Sequence, residues 1–432
     1  MPPPGRNPLR ERFPDFPKGT DLKTISLPAS FASGDWSQWR GPARDGVAVG
    51  SRLPKRLPER MPDPVWRVEL GEGYASPVAA RGIVVALGRP EAGREQAVGI
   101  DLRSGTVRWR RVWESTFVPP DPTAGKGPNG TPTIDGDQVI VLGLGGMLHS
   151  LDLRSGAVRW RHDLNAEYWG VSRGEAGDDW FPVCGCATSP LVVGDTVVVA
   201  VGGRKAGALA GFDRRTGKLK WSCLDDRSSY GSPVRATLGG VDQIVAPTGK
   251  RLVGVGVADR RLLWELPTTA MFEQTILTPV VWRDRVLAGG EARPMEALRL
   301  EAGPGGAVVA RSTWRNAELS PYLCTPVVAD DCAVGLDHRS RRLVAVDMDT
   351  GKTAWSSPRI SKMFAVCTVA ADRLLVLTDL GKIHVAAASR AGWREETVWD
   401  VPGEGPWWSQ VAVMGDLLLI RDGRSMRLHR LV

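Results

Sequence analysis

A chain of 432 residues, 42% hydrophobic and 24% charged with a net charge of +8, has the composition of a folded, water-facing protein and not of a disordered polyanion. No run approaches the ~18 apolar residues of a membrane-spanning helix, and six cysteines are too few for a disulfide-built secreted scaffold. Seventeen tryptophans against four tyrosines and eight phenylalanines, with 50 glycines and 32 prolines, point instead to a large aromatic recurring at fixed places among tight turns.

In chain order, residues 1–34 begin MPPPGRNPLRERFPDFPKG. They carry prolines and mixed charges but no apolar core of a signal peptide, and read as an irregular N-terminal extension. Residues 35–63 open on Asp35-Trp36-Ser37-Gln38-Trp39-Arg40-Gly41-Pro42-Ala43-Arg44-Asp45-Gly46, an aromatic and Arg-rich run expected to lie as a strap across the rest. A structural plug and a ligand-contacting element are both open for it.

From 64 to 432 two signatures alternate. The first is an eleven-residue segment ending in Trp: GIDLRSGTVRW (99–109), SLDLRSGAVRW (150–160), GFDRRTGKLKW (211–221) and AVDMDTGKTAW (345–355). A degenerate copy, GVGVADRRLLW, ends at Trp264, a stretched one at Trp314 and a poor one at Trp399, while Trp66 has the ending alone. The second is a small residue before Pro: Ser76-Pro77, Thr131-Pro132, Ser189-Pro190, Ser232-Pro233, Thr278-Pro279 and Thr325-Pro326, with weaker copies at Thr368 and Ser409. Successive Trp lie 41 to 61 residues apart, the period of a four-stranded blade.

Runs such as LVVGDTVVVAV (191–201) read as hairpins, β-branched and broken by Gly-Asp. In DLRSG and DMDTG the Asp can bond the amides of its own turn while Gly supplies φ > 0. The large ring closing each outer strand, at Trp66, Trp109, Trp160, Trp221, Trp264, Trp314 and Trp355, is expected between neighbouring sheets. Proline opening an inner strand fits an edge that needs no N–H. The last unit opens at Ser409 and has no Trp-ended strand of its own, whereas the first begins with one at 65–70. The expectation is an all-β, eight-bladed β-propeller of four-stranded antiparallel blades over 64–432, closed by N- and C-terminal strands.

Basic residues recur in small groups, among them Arg108, Arg110, Arg111, then Arg214, Arg215, Lys218, Lys220, then Arg339, Arg341, Arg342. They read as solvated hairpin tips; a surface for nucleic acid, acidic glycan or anionic lipid is the alternative, without an accompanying motif. Cys184-Gly185-Cys186 reads as two small buried thiols, with a redox or metal pair as the alternative.

The recurrent Ala/Gly-x-Asp-x-x-Ser/Thr-Gly-x-x-x-Trp resembles the tryptophan-docking repeat of the pyrroloquinoline-quinone-like propeller family. That family includes quinoprotein dehydrogenases and the propeller lipoprotein of the outer-membrane barrel assembly machinery. The W-x-x-W-R-G-P-x-R-D-G run is similar to a segment preceding the propeller in many bacterial, notably planctomycete, members. The resemblance implies export to the periplasm or beyond; with no signal peptide visible, the compartment stays open. In the dehydrogenases it implies a disulfide of adjacent cysteines on one face of the quinone, a Trp on the other, an acidic residue and an Asn on Ca²⁺, and a catalytic Asp. Here no cysteines are adjacent, and Glu273, Asn316 and Asp178 share residue type with those ligands without a spacing that demands the role. No cofactor, metal or catalytic residue is expected. His149, His162, His338, His384 and His429 fall in separate repeats, and no hydrolase, phosphate-loop or zinc-protease motif is present.

One site follows from topology. The loop after each Trp-ended strand returns to the centre, so eight loops gather on one face, offering Tyr74, Asn129, Trp180, Tyr230, Gln274, Tyr322, Phe364 and the pair Trp407, Trp408. Amphipathic aromatics around a concave mouth suit recognition; plugging the funnel is the alternative. The expected function is a monomeric, non-catalytic scaffold binding a protein, peptide or other ligand over that face. A divergent quinoprotein-type oxidoreductase, another propeller enzyme and a polyanionic-glycan module are the alternatives; nucleic acid is not an expected partner.

Overall fold

The computed structural model describes residues 34–115, 117, 127–168, 185–203, 207–268, 275–290, 293–304 and 308–431. Its strands form eight antiparallel sheets. Blades 1 to 7 use four consecutive strands each, within 78–114, 133–163, 191–223, 234–267, 280–316, 327–359 and 365–400, running from inner edge to outer edge. Blade 8 takes three strands within 412–430 and completes itself with Pro64–Glu69. The fold is an all-β, eight-bladed propeller, and among the described residues the helix is a single turn, Leu164–Tyr168.

Closure is antiparallel, Pro64 opposite His429 and Glu69 opposite Ser425. A fully buried Arg421 fastens the seam: its guanidinium donates to Ala75 O at 3.0 Å, Gly71 O at 3.4 Å and Leu87 O, all beyond the junction. Apolar cores lie between neighbouring blades. Val85, Leu87 and Trp109 of blade 1, for example, face Val139, Val141 and Leu151 of blade 2.

The Trp-ended repeat works across that gap. Trp109 Nε1 donates to Leu153 O of blade 2 at 2.9 Å, Trp66 to Leu102 O of blade 1 at 2.9 Å, Trp160 to Arg214 O at 2.9 Å and Trp314 to Met348 O at 2.8 Å. Under each ring lies the turn glycine of the next blade: Gly105, Gly156, Gly217 and Gly351. Trp355 donates to Ser389 O, and Trp399 to Pro58 O of the strap, whose 51–63 portion stands where blade 8 has no turn of its own. Trp264 turns instead to Gln243 of its own blade. Most of these rings are buried, and Trp221 and Trp355 are half-buried.

The residue before each inner proline has a further task. Ser76 N donates to Thr131 Oγ1, Thr131 N to Ser189 Oγ, Ser189 N to Ser232 Oγ, Ser232 N to Thr278 Oγ1 and Thr278 N to Thr325 Oγ1, all within 2.9–3.3 Å. Across the seam, Gln410 N reaches Ser76 Oγ at 2.8 Å and its amide reaches Thr368 Oγ1 at 2.6 Å. This belt around the axis satisfies buried amides that the inner edges cannot pair, and it needs a small hydroxyl.

Candidate functional site

The channel has two mouths, and the strap fills one. Trp36 pairs with Ala79 of blade 1, and Ile134 N of blade 2 donates to Ser37 O at 2.7 Å. Arg44 reaches Ser189 O and Pro190 O of blade 3 and Pro233 O of blade 4. Trp39 Nε1 donates to Thr278 Oγ1 of blade 5 at 2.9 Å, and Arg40 to Thr325 O and Pro326 O of blade 6. Val47–Ala48 adds a parallel strand to blade 7, and Arg52 N donates to Gly415 O of blade 8 at 2.9 Å. All eight blades are touched.

Both guanidiniums are buried, and burial holds Arg40 down to about 10 and Arg44 to about 9, so both remain charged at neutral pH. Their partners are carbonyl oxygens, the Thr133 hydroxyl and the Gln38 amide oxygen. A planar fork that saturates several converging carbonyls is what Arg offers and Lys does not.

The other mouth, the funnel face, is built from the outer-to-inner loops and the turns joining second to third strands. Tyr74, half-buried, is fixed by its backbone: its N–H donates to Pro128 O and its carbonyl accepts from Ser409 Oγ. Its ring lies 4.8 Å from the half-buried Trp408, against which Phe364, only 5% exposed and so a support for the site more than a contact surface, stands edge-on at 5.3 Å. Tyr74, Trp408 and Phe364 thus form one aromatic crescent over blades 1, 8 and 7. Tyr322 meets His338 at 6.3 Å on blade 6, outside the crescent. Asn129 and Tyr230 are half-buried on the loops entering blades 2 and 4, with Asn129 Oδ1 buried and without a hydrogen-bond partner among the described residues. Trp407 turns inward, 5% exposed, under Gly381 and Gly403. Trp180 and Gln274 lie outside the described residues, as do Asp178, Glu273 and Cys184.

Sequence reasoning passed over two neighbours of the crescent. Met363 is 52% exposed and Leu380, at the tip of a blade 7 turn, 42% exposed. The amides of Lys362 and Met363 donate to the Asp379 carboxylate, which locks this loop to that turn. The available signal was a large apolar residue at turn positions, where polar residues ordinarily stand.

Against this geometry, the sequence profile of the family described as outer membrane protein assembly factor BamB matches residues 63–181 and 94–357. The chain belongs to the BamB family. Among solved structures it is similar to BamB from Moraxella catarrhalis at 17% identity and a TM-score of 0.58, covering 85% of this chain and 97% of that one. It is also similar to the computationally designed Ika8 protein, at 9% identity and a TM-score of 0.56 over 87% and 99%. The quinohemoprotein alcohol dehydrogenase from Comamonas testosteroni, at 14% identity and 0.47 over 93% and 81%, is too distant to bear on function. No curated protein matches the sequence.

Of the residue types that the quinoprotein resemblance implies, Asn316 and Cys186 fall among the described residues of this BamB-family propeller. Asn316 spends its amide on Gly351 O and Thr353 Oγ1 and its oxygen on the Glu318 and Leu319 amides. Cys186 is a buried free thiol whose pKa is raised by burial, separated from Cys184 by Gly185. Asn316 is thus engaged by its own loop and the next blade's turn, and Cys186 has no adjacent cysteine.

Proposed function

We propose that this BamB-family chain is a non-catalytic scaffold that binds a protein or peptide over its funnel face. The observation that carries the reading is the half-buried pair Tyr74 and Trp408, backed by the buried Phe364, with Met363 and Leu380 exposed beside it. Rigid aromatics and a flexible thioether gathered on one face have the composition of interface hot spots. The strap supports the same assignment of faces, since it leaves one mouth filled with its own side chains. The name of the family, an assembly factor for outer membrane proteins, supports a protein partner.

A photo-reactive amino acid placed at Met363, and separately at Val49 on the strap face, tests the reading in native extract. Val49 is the control because it is 58% exposed on the opposite side. The reading expects a discrete cross-linked species from position 363 and none of that size from 49. The reverse pattern would move the binding surface to the strap.

A further inference from the structure

Beside the apolar crescent, on the same face, blade 6 presents a run of cations. Its second-to-third strand turn carries His338, Arg339 and Arg341 and leads into Arg342, whose register partner Arg359 ends the outer strand. Lys362 follows in the loop to blade 7. These residues form one continuous surface. Ile360 N donates to Arg341 O at 3.2 Å, Arg341 donates to Met363 O at 3.3 Å, and Arg339 reaches Ala317 O.

Arg339, Arg342, Arg359 and Lys362 are exposed and Arg341 is half-buried. Among the described residues, the acids bonded to this run are Asp337 and Asp379. Asp337 pairs with Arg339 at 3.3 Å and accepts the Ser320 and Ser340 amides. Asp379 is occupied by the amides of Lys362 and Met363. Among the described residues, five cations thus meet two carboxylates, both already engaged, and Arg341 and Lys362 lie directly against Met363. Solvated hairpin tips account for cations of this kind elsewhere on the ring. Here they border an exposed apolar patch, which that account does not explain.

Resting on the funnel-face reading, we propose that the partner docks through an acidic segment carrying an aromatic or large aliphatic side chain. Its carboxylates lie along Arg341, Arg342, Arg359 and Lys362, while its apolar anchor enters among Met363, Leu380 and Trp408. Charge at such a rim sets encounter rate and orientation, and the apolar centre supplies most of the affinity.

A random peptide library panned on the immobilised full chain tests both layers, with Met363→Asp and Trp408→Ala as separate counter-selections. Peptides lost on either variant are funnel binders. The proposal expects them to be enriched in Asp and Glu around one aromatic or aliphatic residue. It also expects Arg342→Glu/Lys362→Glu to weaken them by about tenfold or more, and counterparts with Lys in place of the acids to prefer that reversed variant. Funnel binders that are neutral or basic and indifferent to the reversal would overturn the acidic partner while leaving the funnel reading in place. No peptide dependent on Met363 or Trp408 would overturn both. Phosphatidylglycerol vesicles bound through Arg342 and Lys362, with no acidic peptide selected, would make this a lipid surface and also overturn the proposal.

Discussion

Trp66, Trp109, Trp160 and Trp314 each rest on a glycine of the neighbouring blade. Gly156 has φ +67°, and a Cβ there would meet Trp109 Cδ2 at 2.5 Å; Gly136 has φ +61° with open space around it. Gly136→Ala should therefore cost only the left-handed penalty, about 1–2 kcal/mol. Gly156→Ala should add about 1–3 kcal/mol for the displaced ring. Denaturant midpoints of the two variants check this, and equal losses would remove the ring from the explanation. The pairing was half legible in the sequence: the spacing between turn and Trp was plain, but not that the ring belongs to one blade and the glycine to the next. Where the repeat decays the consequence is visible. Arg260 takes the turn position of Gly156 with φ 64°, its guanidinium lies 5.3 Å over Trp221, and Trp221 Nε1 has no hydrogen-bond partner among the described residues.

At the scale of elements, the strap is the part the sequence marked without explaining. Its tryptophans and arginines stood out, yet their partners are mostly backbone carbonyls, which every residue carries and no pattern announces. Arg44 is the most connected of them. Arg44→Lys keeps the charge but loses the fork, leaving buried carbonyls unsatisfied at about 1–3 kcal/mol each. A total loss of about 3 kcal/mol or more is expected for Arg44→Lys in thermal or denaturant melts. Val49→Ala, on the exposed tip of the same strap, should change stability by no more than about 0.5 kcal/mol. The crescent was legible in part for a similar reason. Loop order placed Tyr74, Phe364 and Trp408 on one face, but the inward turn of Trp407 depends on the space above Gly381 and Gly403, which no local pattern encodes.

For the whole molecule, eight-fold repetition and the missing outer strand of the last unit made ring closure readable, and Pro64–Glu69 supplies that strand. What repetition cannot announce is polarity. The strap, a single copy on a repeating ring, leaves the two mouths chemically different: one is filled with buried guanidiniums and the other is lined by aromatics and edged by cations. The functional account rests on that difference between faces. Hydrogen–deuterium exchange of the tagged full chain, free and in the complex that copurifies with it from its native host, tests it most directly. Protection is predicted in the funnel-face segments 70–77, 338–341, 360–364, 379–381 and 402–410, with the strap at 35–50 unchanged. Protection confined to the strap and to the opposite turns at 81–82, 371–372 and 415–416 would contradict the account.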